Sequence, residues 1–158
     1  MEKQATARVY LGGPFYNEAQ RQRVKKAQEY LRQNPTVASV HFPFDHQYVN
    51  PDDPDDMSSL KWQIATYEND LQGMINSDCA IFLYDMDNID DGSAFEIGFL
   101  RALHKPAVMI PFTEKKDAPK VMNLMLARGV TALISFEDLK TYDFQTNLSA
   151  PVDGYRIV

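Results

Sequence analysis

The stretch from residue 90 to 100 is the part of this sequence whose residue types are best suited to chemistry. It consists of Asp-Asp-Gly-Ser-Ala-Phe-Glu-Ile-Gly-Phe-Leu, and Glu96 is its only ionisable residue after the two leading aspartates. Helical spacing places Phe99, Leu100 and Leu103 around Glu96, which predicts a helix buried on every side. A carboxylate near the first turn of such a helix is costly unless it is paired or used. Glu96 is therefore a candidate nucleophile or base, and hydrogen bonding to a neighbouring loop is the alternative.

Asp70 is a second candidate. It lies near the edge of an apolar stripe in which Ile64, Tyr67, Leu71 and Met74 recur at helical spacing. An aspartate in this position is either an ordinary surface residue or part of the wall of a site. The residues alone leave both interpretations open.

Four aspartates follow the apolar run 79–84, namely Asp85, Asp87, Asp90 and Asp91. They lack the glycine and glutamate spacing of a calcium loop, so Asp85 and Asp87 are interpreted as turn residues. His41, His46 and His104 have no metal-ligand spacing either, and we expect no metal site. Gly12-Gly13-Pro14 is not a phosphate-binding fingerprint, but it permits close approach of the backbone.

The elements that must position these residues alternate between strands and helices. We predict strands at 8–11, 37–44, 79–84, 107–111 and 130–134, and helices at 17–33, 58–76, 93–104, 118–128 and 136–141. This alternation predicts an α/β fold with three α/β/α layers and a flavodoxin-like, doubly wound sheet of five parallel strands. Ligands bind beyond the carboxyl ends of such strands, which places a site near Gly12-Gly13, after Tyr84 and after Ile110.

Length and charge narrow the class of protein. The 158 residues are 44% hydrophobic, which predicts a single domain over 1–158. A net charge of −6 argues against nucleic acid or an anionic membrane as partner. The only cysteine, Cys79, stands in an apolar run and is predicted to be a core residue. Without a disulfide framework or secretion signal we expect a soluble cytoplasmic protein, and we expect the acids of loop 51–56 to be solvated turn residues.

Four segments that occur in order resemble the nucleoside 2′-deoxyribosyltransferase family, namely Val9–Tyr16, Ala65–Leu71, Asp90–Gly98 and Met122–Met125. The resemblance spans nearly the whole chain, and four ordered motifs are more specific than any one of them. It implies the α/β fold predicted above, no metal or organic cofactor, and 2′-deoxynucleosides and free nucleobases as partners. It also implies a homohexamer built from dimers, in which a neighbouring subunit completes each site.

The same resemblance implies roles for individual residues. Glu96 matches the nucleophile that attacks C1′ of a 2′-deoxynucleoside, and a second base then displaces it with net retention of configuration. Asp70 and Asp90 match base-handling positions, Tyr10 belongs to the motif near the nucleophile, and Asn123 matches the residue donated by a neighbouring subunit to the sugar 5′-hydroxyl. The other substrate-binding positions that the resemblance implies are Gly12, Phe15, Gln47, Asp91 and Met125.

The sequence also indicates a substrate range and leaves two alternative functions open. The run 82–87 followed by 90–96 is most similar to the purine-restricted branch, which implies transfer between purines such as adenine, guanine and hypoxanthine. One alternative is a deoxynucleoside 5′-monophosphate N-glycosidase with the same fold and glutamate, although Asn123 fits a free 5′-hydroxyl better. The other is a non-catalytic nucleotide-binding module. Val158 stands where the family has an aromatic residue, which leaves the role of the terminal carboxylate open.

Overall fold

The computed structural model describes residues 4–49, 51–53 and 56–158. The strands in these ranges are β1 (Ala7–Gly12), β2 (Val37–His41), β3 (Cys79–Asp85), β4 (Ala107–Phe112), β5 (Val121–Met122), β6 (Ala132–Leu133) and β7 (Arg156–Ile157). The helices are α1 (Glu18–Gln33), α2 (Leu60–Asn76), α3 (Asp91–Ala102) and α4 (Leu124–Gly129), with 3-10 turns at Pro43–His46 and Glu137–Lys140. None of these helices is long and apolar enough to cross a membrane.

Five parallel strands form the main sheet in the order β2-β1-β3-β4-β6, and β5 pairs with β7 in a small second sheet. The chain runs from β1 out to β2 and then returns to β3 on the other side of β1. The strand order therefore reverses between β1 and β3, which is the flavodoxin-like, doubly wound arrangement predicted from the sequence. Ligands bind at the carboxyl ends of the strands at such a switch point.

Alternating side chains on the central strands divide the core into two layers. On β1, Val9 and Leu11 pack on the side of α1, whereas Tyr10 packs on the side of α2, α3 and α4. Every residue of β3 is buried, as a central parallel strand covered on both faces requires. Cys79 is fully buried in the first layer, so the prediction that it is a core residue is confirmed.

Side-chain caps fix where the helices begin. The side chain of Asn17 accepts a hydrogen bond from the amide of Gln20 in a capping box, which confirms the predicted start of α1. Ser59 caps α2 in the same way. α3 begins two residues earlier than predicted, because the side chain of Asp90 accepts hydrogen bonds from the amides of Gly92 and Ser93 and so caps the helix. Glu96 consequently lies in the second turn of α3.

Besides α3, other predicted elements have the wrong bounds, and the helix predicted at 136–141 is the 3-10 turn Glu137–Lys140. The strand predicted at 37–44 ends at His41, because Pro43 has no amide hydrogen to donate and starts a 3-10 turn. Most of the helix predicted at 118–128 is absent, since residues 121–122 pair with β7 instead. The strand predicted at 130–134 is paired with β4 only over β6.

The acidic loop 51–56 lies partly outside the described residues, at 54 and 55. Within the described part, Asp52 and Asp53 are exposed. Asp56 accepts hydrogen bonds from the amides of Ser58 and Ser59, and so it orders the approach to α2.

The prediction that α3 is buried on every side is wrong. Ile97 and Leu100 are buried against the sheet, but Phe95 is 52% exposed and Leu103 is 39% exposed. The ring of Tyr67 on α2 lies 6.2 Å from that of Phe95, so the exposed apolar surface continues from one helix to the other. We call this surface the α2–α3 apolar face, and its members are Leu60, Ile64, Tyr67, Phe95 and Leu103. Contiguous exposed apolar surface of this kind indicates an interaction site.

Candidate active site

A cavity of about 280 Å³ lies at the switch point between β1 and β3. Its walls come from the end of β1, the 3-10 turn after β2, one face of α2 and the start of α3. The residues predicted from the sequence that line it are Gly12, Phe15, Gln47, Asp70, Asp90 and Glu96. A larger cavity of about 510 Å³ lies beside the beginning of β1 and the end of α2, but none of the predicted site residues lines it.

Tyr10 holds the carboxylate of Glu96. Its hydroxyl donates a 2.8 Å hydrogen bond to Oε1 of Glu96, and its ring is fully buried and stacked on that of His41. Gly12 leaves room for the other oxygen, because a Cβ at this position would lie 3.1 Å from Oε2 of Glu96 and 2.3 Å from the ring of Phe82. One carboxylate oxygen is thus fixed by a donor, and the other faces a backbone that has no side chain.

Two carboxyl groups of the cavity, those of Glu96 and Asp70, have pKa values above their usual range. Burial raises the pKa of Glu96 to about 8, and the charges of Asp70 and Asp90 act in the same direction against the hydrogen bond from Tyr10. Burial also raises the pKa of Asp70 to about 6. Carboxyl groups with separated, raised pKa values are typical of sites that pair a nucleophile or base with a proton donor.

Asp90 differs from the other two carboxylates because both of its oxygens accept hydrogen bonds from neighbouring residues of the protein. Its Oδ1 accepts a 3.2 Å hydrogen bond from the amide of Gly92. Its Oδ2 accepts from the amide of Ser93 at 3.2 Å and from the Ser93 hydroxyl at 2.6 Å. These donors keep the side chain fixed at the rim of the cavity.

Asp70 lies half-buried on α2, and its Oδ1 is shielded from water without a hydrogen-bond partner among the described residues. Two further residues of α2 line the cavity with it, Trp62 and Thr66. Our sequence analysis missed both. They precede Asp70 by eight and four positions, so a helical projection centred on Asp70 would have identified them.

Four of the predicted residues do not line this cavity, namely Tyr10, which lies behind Glu96 and reaches the site through its hydroxyl, and three residues outside it. Asp91 is the exposed first residue of α3. Asn123 caps α4 by accepting a 2.8 Å hydrogen bond from the amide of Met125. Met125 itself is 77% exposed. The main-chain oxygen of Val158 lies next to them and accepts a 2.7 Å hydrogen bond from the amide of Leu124.

The fold and the cavity together define a flavodoxin-like α/β protein with a partly buried, hydrogen-bonded glutamate at its switch point, which is an arrangement suited to nucleophilic catalysis on a small molecule. The profile of the nucleoside 2-deoxyribosyltransferase family matches residues 9–125. The chain therefore belongs to the nucleoside 2-deoxyribosyltransferase family, and it is an enzyme.

Individual relatives agree with this assignment. A nucleoside deoxyribosyltransferase from Limosilactobacillus fermentum is 45% identical over 160 residues, covering 97% of this chain and 95% of the relative. One from Lactobacillus leichmannii is 30% identical over 141 residues, covering 86% and 88%. The structure of a 2-deoxyribosyltransferase from Bacillus psychrosaccharolyticus superposes with a TM-score of 0.77 at 28% identity, covering 92% of this chain and 99% of that one.

Proposed function

We propose that this protein transfers 2-deoxyribose between nucleobases in two displacements at C1′, with Glu96 as the nucleophile. The observation that carries the proposal is the Glu96 carboxylate held by Tyr10 in the cavity at the switch point. Oε1 is bound by the Tyr10 hydroxyl, so Oε2 is the oxygen that attacks C1′. The bond from C1′ to the base nitrogen breaks as the bond to Oε2 forms. The nitrogen of a second base then attacks C1′ and releases the carboxylate, so two inversions give retention.

The departing base needs a proton, and Asp70 is the donor that we propose. Its raised pKa of about 6 keeps a protonated fraction near neutral pH. Asp90 cannot easily fill this role, since its oxygens already accept hydrogen bonds from Gly92 and Ser93. We assign Asp90, together with Gln47, to holding the base in place.

Purines are the substrates that we propose, in a cytoplasmic salvage role. The motif in 82–96 is most similar to the purine-restricted branch, and Phe15, Phe42 and Trp62 give the cavity flat apolar walls on which a base can stack. A cavity lined in this way also excludes water, which would otherwise hydrolyse the deoxyribosyl ester before the second base arrives.

We also propose that the chain, as a single catalytic domain, assembles into a homohexamer of dimers. Two observations support this assembly. The α2–α3 apolar face exposes several large side chains to solvent, which is costly for a monomer. Asn123 and Met125 lie on the surface outside the cavity of their own chain. In the assembly they enter the site of a neighbouring subunit, where Asn123 binds the sugar 5′-hydroxyl.

A charge placed on the α2–α3 apolar face is expected to separate the subunits. Ile64 is 50% exposed in the single chain, and Ile64→Glu would bury a carboxylate in the proposed interface. We expect a smaller particle by light scattering and a parallel loss of transfer, because each site would lose its neighbour. Gln72→Glu is the matched control, since Gln72 is an exposed residue of the same helix outside this face. An Ile64→Glu protein with the wild-type mass and rate would contradict the proposed interface.

Chromatography of deoxyinosine with adenine tests the proposed reaction. Formation of deoxyadenosine and hypoxanthine is the expected result, and deoxycytidine and thymine are expected to be poor partners. Hypoxanthine released at the same rate with and without adenine would identify a hydrolase. No turnover of any deoxynucleoside would leave only a binding module.

Loss of the Tyr10 hydroxyl is expected to slow transfer. A hydrogen bond to a charged group contributes about 1.5–3 kcal/mol, so Tyr10→Phe should lower kcat/KM about 10- to 100-fold. The hydrogen bond lowers the pKa of Glu96, so its removal should raise that pKa and move the alkaline limb of the pH–rate profile to higher pH. Tyr84→Phe is the control, because Tyr84 is a buried tyrosine of the same core layer that does not line the cavity. An unchanged pH profile in Tyr10→Phe would count against the assigned role.

A further inference from the structure

Thr66 carries a hydroxyl for which the protein provides no partner. It lines the cavity one helical turn before Asp70, and its Oγ1 is shielded from water without a hydrogen bond to any described residue. A threonine inside a helix commonly donates its hydroxyl to a carbonyl of the preceding turn, but Thr66 does not. A buried polar group left unpaired costs about 1–3 kcal/mol, and such groups in native proteins need an explanation.

Asp70 shows the same property on the same face of α2. Its Oδ1 is also shielded and unpartnered among the described residues. Residues four apart on a helix are neighbours, so the two unpaired oxygens belong to adjacent residues on the side of α2 that lines the cavity. Trp62 lies one further turn along this face and contributes a flat apolar ring. A planar ligand with adjacent polar atoms on one edge matches this combination.

We propose that Thr66 determines specificity by binding the exocyclic group at C6 of the purine, next to the ring nitrogen that Asp70 protonates. This inference rests on the proposed transfer between purines. A hydroxyl both donates and accepts hydrogen bonds, so Thr66 accepts from the 6-amino group of adenine and donates to the 6-oxo group of hypoxanthine or guanine. A carboxylate or an ammonium group at this position would favour only one of these bases.

The hydroxyl reaches a bound base by a change of side-chain rotamer. Threonine in a helix populates two rotamers about its Cα–Cβ bond, and Thr66 already lines the cavity. With the cavity empty, the hydroxyl has no partner among the described residues in the rotamer that the structure shows. A bound purine supplies the missing partner, so part of the binding free energy depends on the group at C6.

The inference is tested with Thr66→Val, which removes the hydroxyl and keeps the branched shape, and with Thr66→Ser, which keeps the hydroxyl. The acceptors are adenine, hypoxanthine and unsubstituted purine, with deoxyinosine or deoxyadenosine as donor. In a ping-pong reaction, kcat/KM for the acceptor reports only the half-reaction in which that acceptor takes part. We expect Thr66→Val to lower kcat/KM about tenfold for adenine and hypoxanthine, the loss of about one hydrogen bond, and to leave unsubstituted purine unchanged. Thr66→Ser should restore both 6-substituted bases.

Two results would overturn the inference. One is an equal loss for all three acceptors in Thr66→Val, which would show a general structural effect. The other is no loss for any acceptor. Thermal unfolding of each variant identifies a folding defect independently of the rates. Failure of the proposed function is distinguishable, because in that case the wild-type protein itself would transfer no deoxyribose.

Discussion

Replacement of Glu96 by glutamine is expected to lower deoxyribosyl transfer by about 10⁴-fold or more. The carboxamide keeps the size of the side chain and can still accept a hydrogen bond from Tyr10, but it is not a nucleophile. Removal of a covalent nucleophile costs on the order of 10⁶-fold where it has been measured in another enzyme class, so the lower figure is conservative. The measurement is the rate of deoxyadenosine formation from deoxyinosine and adenine. Glu68→Gln makes the same charge change at an exposed position of α2 and is expected to have the wild-type rate.

The same variant should be more stable than the wild-type protein, increasingly so with rising pH. Burial raises the pKa of Glu96 from 4.5 to about 8, so the folded protein keeps a proton that the unfolded chain releases. Stability conferred by the neutral form is therefore lost as pH rises from 4.5 to about 8, and glutamine does not titrate. We expect the difference in Tm between Glu96→Gln and wild type to grow across this range. A difference that is constant with pH would show that Glu96 is not buried as described.

Replacement of Asp70 by asparagine is expected to have the second largest effect, about 10²- to 10⁴-fold on transfer from deoxyinosine, because it removes a proton donor. The loss should depend on the leaving group. 7-Methyl-2′-deoxyguanosine carries its positive charge before the bond breaks, so its base leaves without a proton. We expect Asp70→Asn to retain most of the wild-type rate on this donor.

The control for this variant is Asp117→Asn, which makes the same change at an exposed residue that does not line the cavity. Equal losses of Asp70→Asn on both donors would contradict a role in protonation and would indicate a role in binding. Near-wild-type rates on both donors would remove Asp70 from the mechanism.

The pH dependence of these proteins follows from the two raised pKa values. Transfer requires Glu96 ionised and Asp70 protonated, and with pKa values of about 8 and about 6 this form is a minor one. The population of this form rises up to about pH 6, stays level from about pH 6 to about pH 8, and falls at higher pH. The rate profile is therefore bell-shaped. Residual transfer by Asp70→Asn should rise with pH and then stay level, since no proton donor remains to be lost. A fall at alkaline pH in that variant would assign the alkaline flank to another group.

Much of the fold and the centre of the site could be predicted from the sequence. The alternation of apolar strands with amphipathic helices is a local signal, and it predicted the sheet that the structure contains. Glu96 stood out because an isolated carboxylate among apolar residues is unusual at any position. Asp70 was ambiguous, since the edge of an apolar stripe is compatible with either solvent or a cavity.

The errors have physical reasons. Apolar residues on several sides of α3 predict a buried helix, but the pattern is the same whether the helix is buried within its own chain or against another copy. Phe95 and Leu103 are exposed in the single chain. The pairing of β5 with β7 joins two-residue strands that are far apart in sequence and too short for any periodicity. Trp62 and Thr66 were missed because the ambiguous Asp70 was not taken as the centre of a helical face, on which residues four and eight positions earlier also lie.

The most direct test of the central claim is the mass of the protein after it is mixed with deoxyinosine without an acceptor and quenched in acid. A covalent deoxyribosyl-enzyme predicts a mass increase of one deoxyribosyl group, located by peptide mapping to the peptide that contains Glu96 and lost when adenine is added before the quench. Glu96→Gln should show no increase. Hypoxanthine release without any adduct, or an adduct on another residue, would contradict the account.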